Sequence, residues 1–225
     1  MKQFEEIKKE ILERAHNARA CTIQYKRVYQ SENLETLCNV IKDNFWWCCR
    51  NNVLDGELID KYKKIFSDNK IYHNVSIKSG FLLTSGNSTV EAFGNSTVEA
   101  YGNSTVKAYD NSTVKAYSNS TVEAYDNSTV KAYGNSTVKA YDNSTVKAYD
   151  NSTVKAYSNS TVKAFGNSTV KAYDNSTVEA YDNSYINCRS TIECVLKDNS
   201  IVRKWDTNTI QYVSDNLKFE KKILV

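Results

Sequence analysis

From Gly86 to Tyr181 the chain repeats one eight-residue unit twelve times, with no insertion between copies. Each copy reads x-Asn-Ser-Thr-Val-Lys/Glu-Ala-Tyr/Phe, where x is Gly, Asp or Ser, and only the first, sixth and eighth positions vary. A unit this short cannot enclose a core of its own, so successive units must stack and bury a shared one. The stretch Thr-Val-Lys/Glu-Ala-Tyr alternates as a strand does, and x-Asn tolerates the backbone angles of a turn. The inward face is then either Ser-Val-Ala or Asn-Thr-Lys-Tyr. The degenerate octads from Asp182 to Val213 put Ile186, Cys194, Val202 and Ile210 at the fifth position, always apolar, while the sixth carries Lys or Glu as a solvated site would. Ser, Val and Ala are therefore placed inside, and Thr, Lys/Glu and Tyr outside.

Short strands at a fixed period, never followed by a helix, predict a mainly β chain. Its expected form is a parallel β-solenoid (β-helix) in which each strand pairs with its equivalent one coil away. Taken alternately, the first positions read Gly86, Gly102, Ser118, Gly134, Asp150, Gly166 and Gly94, Asp110, Asp126, Asp142, Ser158, Asp174. The sixth positions on one side include an unbroken Lys115, Lys131, Lys147, Lys163 row, and the other side is interrupted by Glu123. Both patterns favour sixteen residues per coil, with a triangular coil of twenty-four left open. Twelve octads make six coils, and the four degenerate octads are expected to add two more, a rod of roughly 38 Å at ~4.8 Å per coil. Ile192, Leu196, Trp205 and Tyr212 enlarge the last repeats, as a terminal cap would, and the chain contains no proline to interrupt ladder hydrogen bonds.

The expected division is a helical N-terminal cap domain over 1–75, the octad solenoid over 76–213 and a C-terminal cap or tail over 214–225. In the first part Phe4, Ile7, Ile11, Leu12, Ala15 and Ala18 recur at helical spacing, as do Leu34, Leu37, Val40, Ile41 and Phe45, with Ser31 or Asn33 as a cap. Asp55 precedes a further set, Leu58, Ile59, Tyr62 and Ile65. Three or four short helices are expected, either covering the first coil or presented by the rod as a recognition head.

Net charge is +3 over 225 residues and is near neutral in every region, unlike a strongly basic nucleic-acid binder or an acidic DNA mimic. The N-terminus mixes acids and bases without an apolar run, and no stretch has the length of a membrane span. A cytoplasmic protein away from membranes is expected, with its six cysteines reduced and its Asn-Ser-Thr sequons unglycosylated. His16 and His73 stand in no catalytic motif, and there is no phosphate-binding or dinucleotide loop. Cys48-Cys49, with Cys38 and Cys21 upstream, lacks the usual spacing of paired zinc ligands. No metal, cofactor or catalytic residue is expected, because the array presents like groups in rows and catalysis needs unlike groups converging on one point.

The outward rows are the candidate partner-binding groups: Lys115, Lys131, Lys147 and Lys163 with Tyr117, Tyr133, Tyr149 and Phe165, and in the head Trp46, Trp47 and Arg50. The bland reading of the aromatic and threonine rows is that they stabilise neighbouring coils. The functional readings are RNA or single-stranded DNA held by stacking and phosphate pairing, a protein held by tyrosine-rich contact, or self-association. Glu91, Glu99, Glu123 and Glu179 weaken the nucleic-acid reading. Regular threonine rows also suggest ice binding, against which stand the bulky Lys and Tyr beside each Thr.

The segment "CTIQYKRVYQSENLETLCNVIKDNFWWCCRNN", the repeats "GNSTVEAFGNSTVEAYGNSTV" and the closing "SDNLKFEKK" resemble octapeptide-repeat proteins of phage and prophage accessory regions. That resemblance implies a parallel β-solenoid with a helical cap and a setting in phage–host conflict. There the expected task is a non-enzymatic inhibitor, anti-CRISPR-like, that binds a host defence nuclease or its RNA complex in the host cytoplasm.

Overall fold

The computed structural model describes residues 2–84, 86–213 and 222–223, without the side chains of Trp46 and Arg50 among others. Six helices come first: α1 Lys2–Asn17, α2 Thr22–Tyr29, α3 Leu34–Asp43, α4 Phe45–Arg50, α5 Gly56–Lys61 and α6 Lys63–Asp68. The expectation of three or four fell short because short capped segments interrupt the apolar periodicity. Asn33 begins α3 through a capping box with Thr36, and the Asp55 carboxylate accepts from the Leu58 N–H to begin α5. The helices bury their own core around Ile7, Ile11, Leu37, Ile41, Leu58 and Phe66. None of the described helices is long and apolar enough to cross a membrane.

The strands follow: β1 Ile71–Tyr72, β2 Val75–Thr84 and β3 Thr89–Ala100. Ten four-residue strands come next, β4 to β13, running from Thr105–Ala108 to Thr177–Ala180, one per octad. The last are β14 Tyr185–Cys188, β15 Cys194–Leu196, β16 Ile201–Lys204, β17 Thr209–Tyr212 and β18 Lys222–Ile223. Pairing is parallel and in register at a spacing of sixteen: Thr113 faces Thr129, and Thr129 faces Thr145. The coil therefore holds two octads, and the twenty-four-residue alternative is excluded. Alternate strands build two faces across a thin interior in which every Val and Ala of the array is fully buried.

The serines complete that interior without breaking the polar accounting. Ser112 Oγ donates to the carbonyls of Tyr109 at 2.7 Å and Ala92 at 3.0 Å, so a buried hydroxyl keeps its partners. Between strands, the Ser112 N–H donates back to the Tyr109 carbonyl at 3.2 Å and closes a turn. The first residue of that turn is left-handed, with φ of 58° at Asp110 and 68° at Gly102, which is why the first octad position accepts Gly and Asp. Gly94 has a second reason to be glycine: a Cβ there would lie 2.7 Å from the Lys78 carbonyl oxygen.

The two ends differ. At the start, β1 pairs in parallel with the end of β2, and the head packs Leu83 and Tyr101 against its own core, so the helices cover the first coil from one side. At the far end the parallel stack stops one octad earlier than expected. Ile210 keeps the Val spacing, but β17 runs antiparallel to β16, with Ile210 opposite Arg203. Asn208 in a left-handed conformation (φ 49°) lies in the reversal. β18 adds a further antiparallel strand, and the rest of the expected 214–225 tail lies outside the described residues.

Candidate binding surface

Because strands are in register every sixteen residues, each variable octad position becomes a straight row along one face. One face carries Glu99, Lys115, Lys131, Lys147, Lys163 and Glu179 in sequence. The row of four lysines is thus closed at both ends by a carboxylate in register. Lys115 Nζ lies 2.8 Å from Glu99, and Lys163 Nζ 2.9 Å from Glu179. The hydrogen bonds that Lys115 and Lys163 donate to Glu99 and Glu179 hold these ammonium groups above their usual range, and the Lys163 contact holds Glu179 below its own. Lys131 and Lys147 in the centre have no carboxylate partner among the described residues.

The aspartates of the neighbouring corner form no ion pair with these lysines among the described residues. Asp110 Oδ2 accepts from the Gly94 N–H at 2.9 Å and Asp150 Oδ2 from the Gly134 N–H at 3.0 Å, each one coil away. These carboxylates are tied to the backbone turn instead of to lysine. The opposite face repeats the theme with Glu123 paired to Lys139 at 2.9 Å, leaving Lys155 and Lys171 unpaired among the described residues.

Beside the lysine row runs an aromatic one: Tyr101, Tyr117, Tyr133, Tyr149, Phe165 and Tyr181. Its rings stack with centroids 4.7–5.1 Å apart and planes within 13° of parallel. The faces of these rings are used by each other, and only their edges are turned outward. A base entering between two rings needs roughly twice the 3.4 Å rise of stacked bases, more than the ladder leaves. Burial pushes the phenols of Tyr117 and Tyr133 above their usual range, so they stay neutral and act as hydrogen-bonding edges.

The head meets the start of this same row. Phe45 packs edge-on against Tyr101 at 5.2 Å, and a cleft of about 750 Å³ lies between Asp55, Glu57 and His73 of the head and the corner from Gly86 to Asn135. The wall it offers is acidic and neutral. His73 rests over Gly56, where a Cβ would meet its ring at 2.4 Å, and Nδ1 is 2.9 Å from Asp60.

Of the head residues singled out from sequence, Trp47 is half-buried against the helical core, while the side chains of Trp46 and Arg50 lie outside the described ones. The structure brings the eight row residues together in rows along one face, while Trp47 packs against the core of the head. Among the described residues no three His, Cys, Asp or Glu side chains converge as a metal site. Cys38 and Cys48 are buried, with thiols pushed by burial up to about 11 and about 12. Sequence reasoning missed the closing role of Glu99 and Glu179, although the sixteen-residue register alone would have paired them with Lys115 and Lys163. Comparison with family models, with curated proteins and with solved structures finds no match to this chain.

Proposed function

We propose that the chain is a non-catalytic binding protein that docks an acidic surface of another protein on the lysine-bearing face of its solenoid. The observation that carries this reading is the row itself. Its ends are paired with Glu99 and Glu179, and its centre holds Lys131 and Lys147, which have no carboxylate partner among the described residues, in register on a stiff ladder. The stiff backbone fixes the spacing of the pair, which selects carboxylates placed to meet it. A nucleic acid is the weaker partner, because the ring faces it would stack on are occupied and the array carries no net excess of positive charge. In the phage setting that the sequence resembles, a host defence nuclease is the partner class to try first.

The test uses the full chain as bait in bacterial lysate, with and without nuclease treatment, beside two folded variants. Capture of a protein should survive nuclease treatment, fall at least tenfold for Lys131→Glu with Lys147→Glu, and persist for Lys155→Glu with Lys171→Glu on the other face. A tenfold loss corresponds to about 1.4 kcal/mol. Capture lost on nuclease treatment would replace the protein by RNA, and equal capture by both variants would remove this face from the account.

A further inference from the structure

The inward rows of the solenoid are Val, Ala and Ser until the last coils, where three reactive groups enter them together. Cys188 takes the place of Ala172 one coil on, Cys194 the place of Val178, and Lys204 the place of Cys188 a further coil on. Cys188 is fully enclosed, Lys204 is 6% exposed and Cys194 is half-buried. The two sulfurs lie 3.6 Å apart across the interior. Lys204 Nζ lies 3.3 Å from Cys188 Sγ and 3.8 Å from Cys194 Sγ, and donates to the Ile192 carbonyl.

A buried ammonium group needs a counter-charge, and no carboxylate among the described residues is paired with this one. Asp206, whose charge reaches Cys188, is bonded to the Ser190 N–H and hydroxyl instead. What faces Lys204 is the sulfur pair. The Cys194 thiol donates to Cys188 and, with the Lys204 charge, pulls Cys188 down to about 7 against the effect of burial, while Cys194 is pushed up by the same hydrogen bond. Thiolate character is therefore favoured on Cys188, and the proton between the two sulfurs on Cys194.

We propose that Cys188 and Cys194 are a peroxide-sensitive dithiol that closes to an intrachain disulfide, with Lys204 as its positioning cation. Peroxide enters past the half-buried Cys194, and the Cys188 thiolate attacks one of its oxygens. The O–O bond breaks, Cys188 becomes a sulfenic acid, and the hydroxide released takes a proton from solvent and leaves as water. Cys194 then gives up its proton and attacks the Cys188 sulfur. The S–O bond breaks, and the second hydroxide takes that proton and leaves as water. Two electrons pass from the sulfurs to peroxide, giving one disulfide and two waters. Closure removes the negative charge that Lys204 faces, so oxidation also loosens the hold on the β16–β17 hairpin that carries it.

The octad supplies its own replacements for the test, since Ala and Val occupy these places elsewhere in the array. The full chain carrying Cys21→Ser, which removes the exposed thiol, is treated with hydrogen peroxide and mapped by mass spectrometry of unreduced peptides. A Cys188–Cys194 crosslink with loss of two hydrogens should appear before any other thiol is oxidised, should be reversed by dithiothreitol, and should be absent from Cys194→Val. Lys204→Ala, or Lys204→Met should the alanine variant fail to fold, should slow closure on the order of tenfold at neutral pH and move its pH midpoint upward. Sulfinic acid on Cys188 without a crosslink, oxidation of the other thiols first, or an unchanged rate and midpoint in the folded Lys204 variants would each overturn the proposal.

Discussion

At the scale of single residues, the octad is governed by one backbone angle. Its first residue is left-handed in every coil, which costs an L-residue without a helpful side chain about 1–2 kcal/mol, and Gly or Asp meets the need in most copies. Ser158, at φ 55°, does not. Replacing Ser158 by Gly should relieve the strain, offset in part by about 0.4–1 kcal/mol of added chain entropy in the unfolded state. The net gain should be about 0.5–1 kcal/mol, read as a rise of about 1–4 °C in Tm; a lower Tm would show that the hydroxyl matters more than the angle. This position was readable in the sequence because Gly, Asp and Asn share one conformational property. The Cys188, Cys194 and Lys204 cluster was not. A lysine at an inward place runs against the alternation, and its partners meet only once β14, β15 and β16 are stacked around the coil.

At the scale of the strand, alternation fixes what is inside, and the fully buried Val and Ala rows follow it through the whole array. Val130 contacts its equivalents one coil above and below, Val114 and Val146, in a ladder that admits no water. Val130→Asp should cost more than about 4 kcal/mol, since an unpaired carboxylate enters a dry interior. Loss of the β-sheet circular dichroism signal at a temperature where the parent is folded would be the expected reading, and an unchanged melt would reverse the assignment of faces. The strands β4 to β13 could be read from sequence to within a residue, whereas β3 runs on through Gly94, Asn95 and Ser96, where a turn was expected. The reversal at β17 could not, because Ile210 keeps the octad spacing while the turn around Asn208 sends the chain back. The head's contact with Tyr101 was equally hidden, since a packing partner more than fifty residues away leaves no local periodicity.

At the scale of the whole molecule, a rod in which each coil touches only its neighbours turns sequence spacing into surface geometry. The Lys131–Lys147 pair, the aromatic ladder and the closure of the lysine row by Glu99 and Glu179 all depend on residues sixteen apart being side by side on one face. Cysteines placed at 131 and 147 would stand one strand spacing apart, ~4.8 Å, within the Cα separation a disulfide accepts, about 4.4–6.8 Å. Those at 131 and 155, twenty-four apart, would lie on opposite faces. The decisive measurement is peptide mapping of these two double variants after mild oxidation. Crosslinking of Lys131→Cys with Lys147→Cys, and none of Lys131→Cys with Lys155→Cys, is what the two-octad coil requires. A crosslink between 131 and 155 in folded protein, with none between 131 and 147, would contradict it and dismantle the binding face built on it.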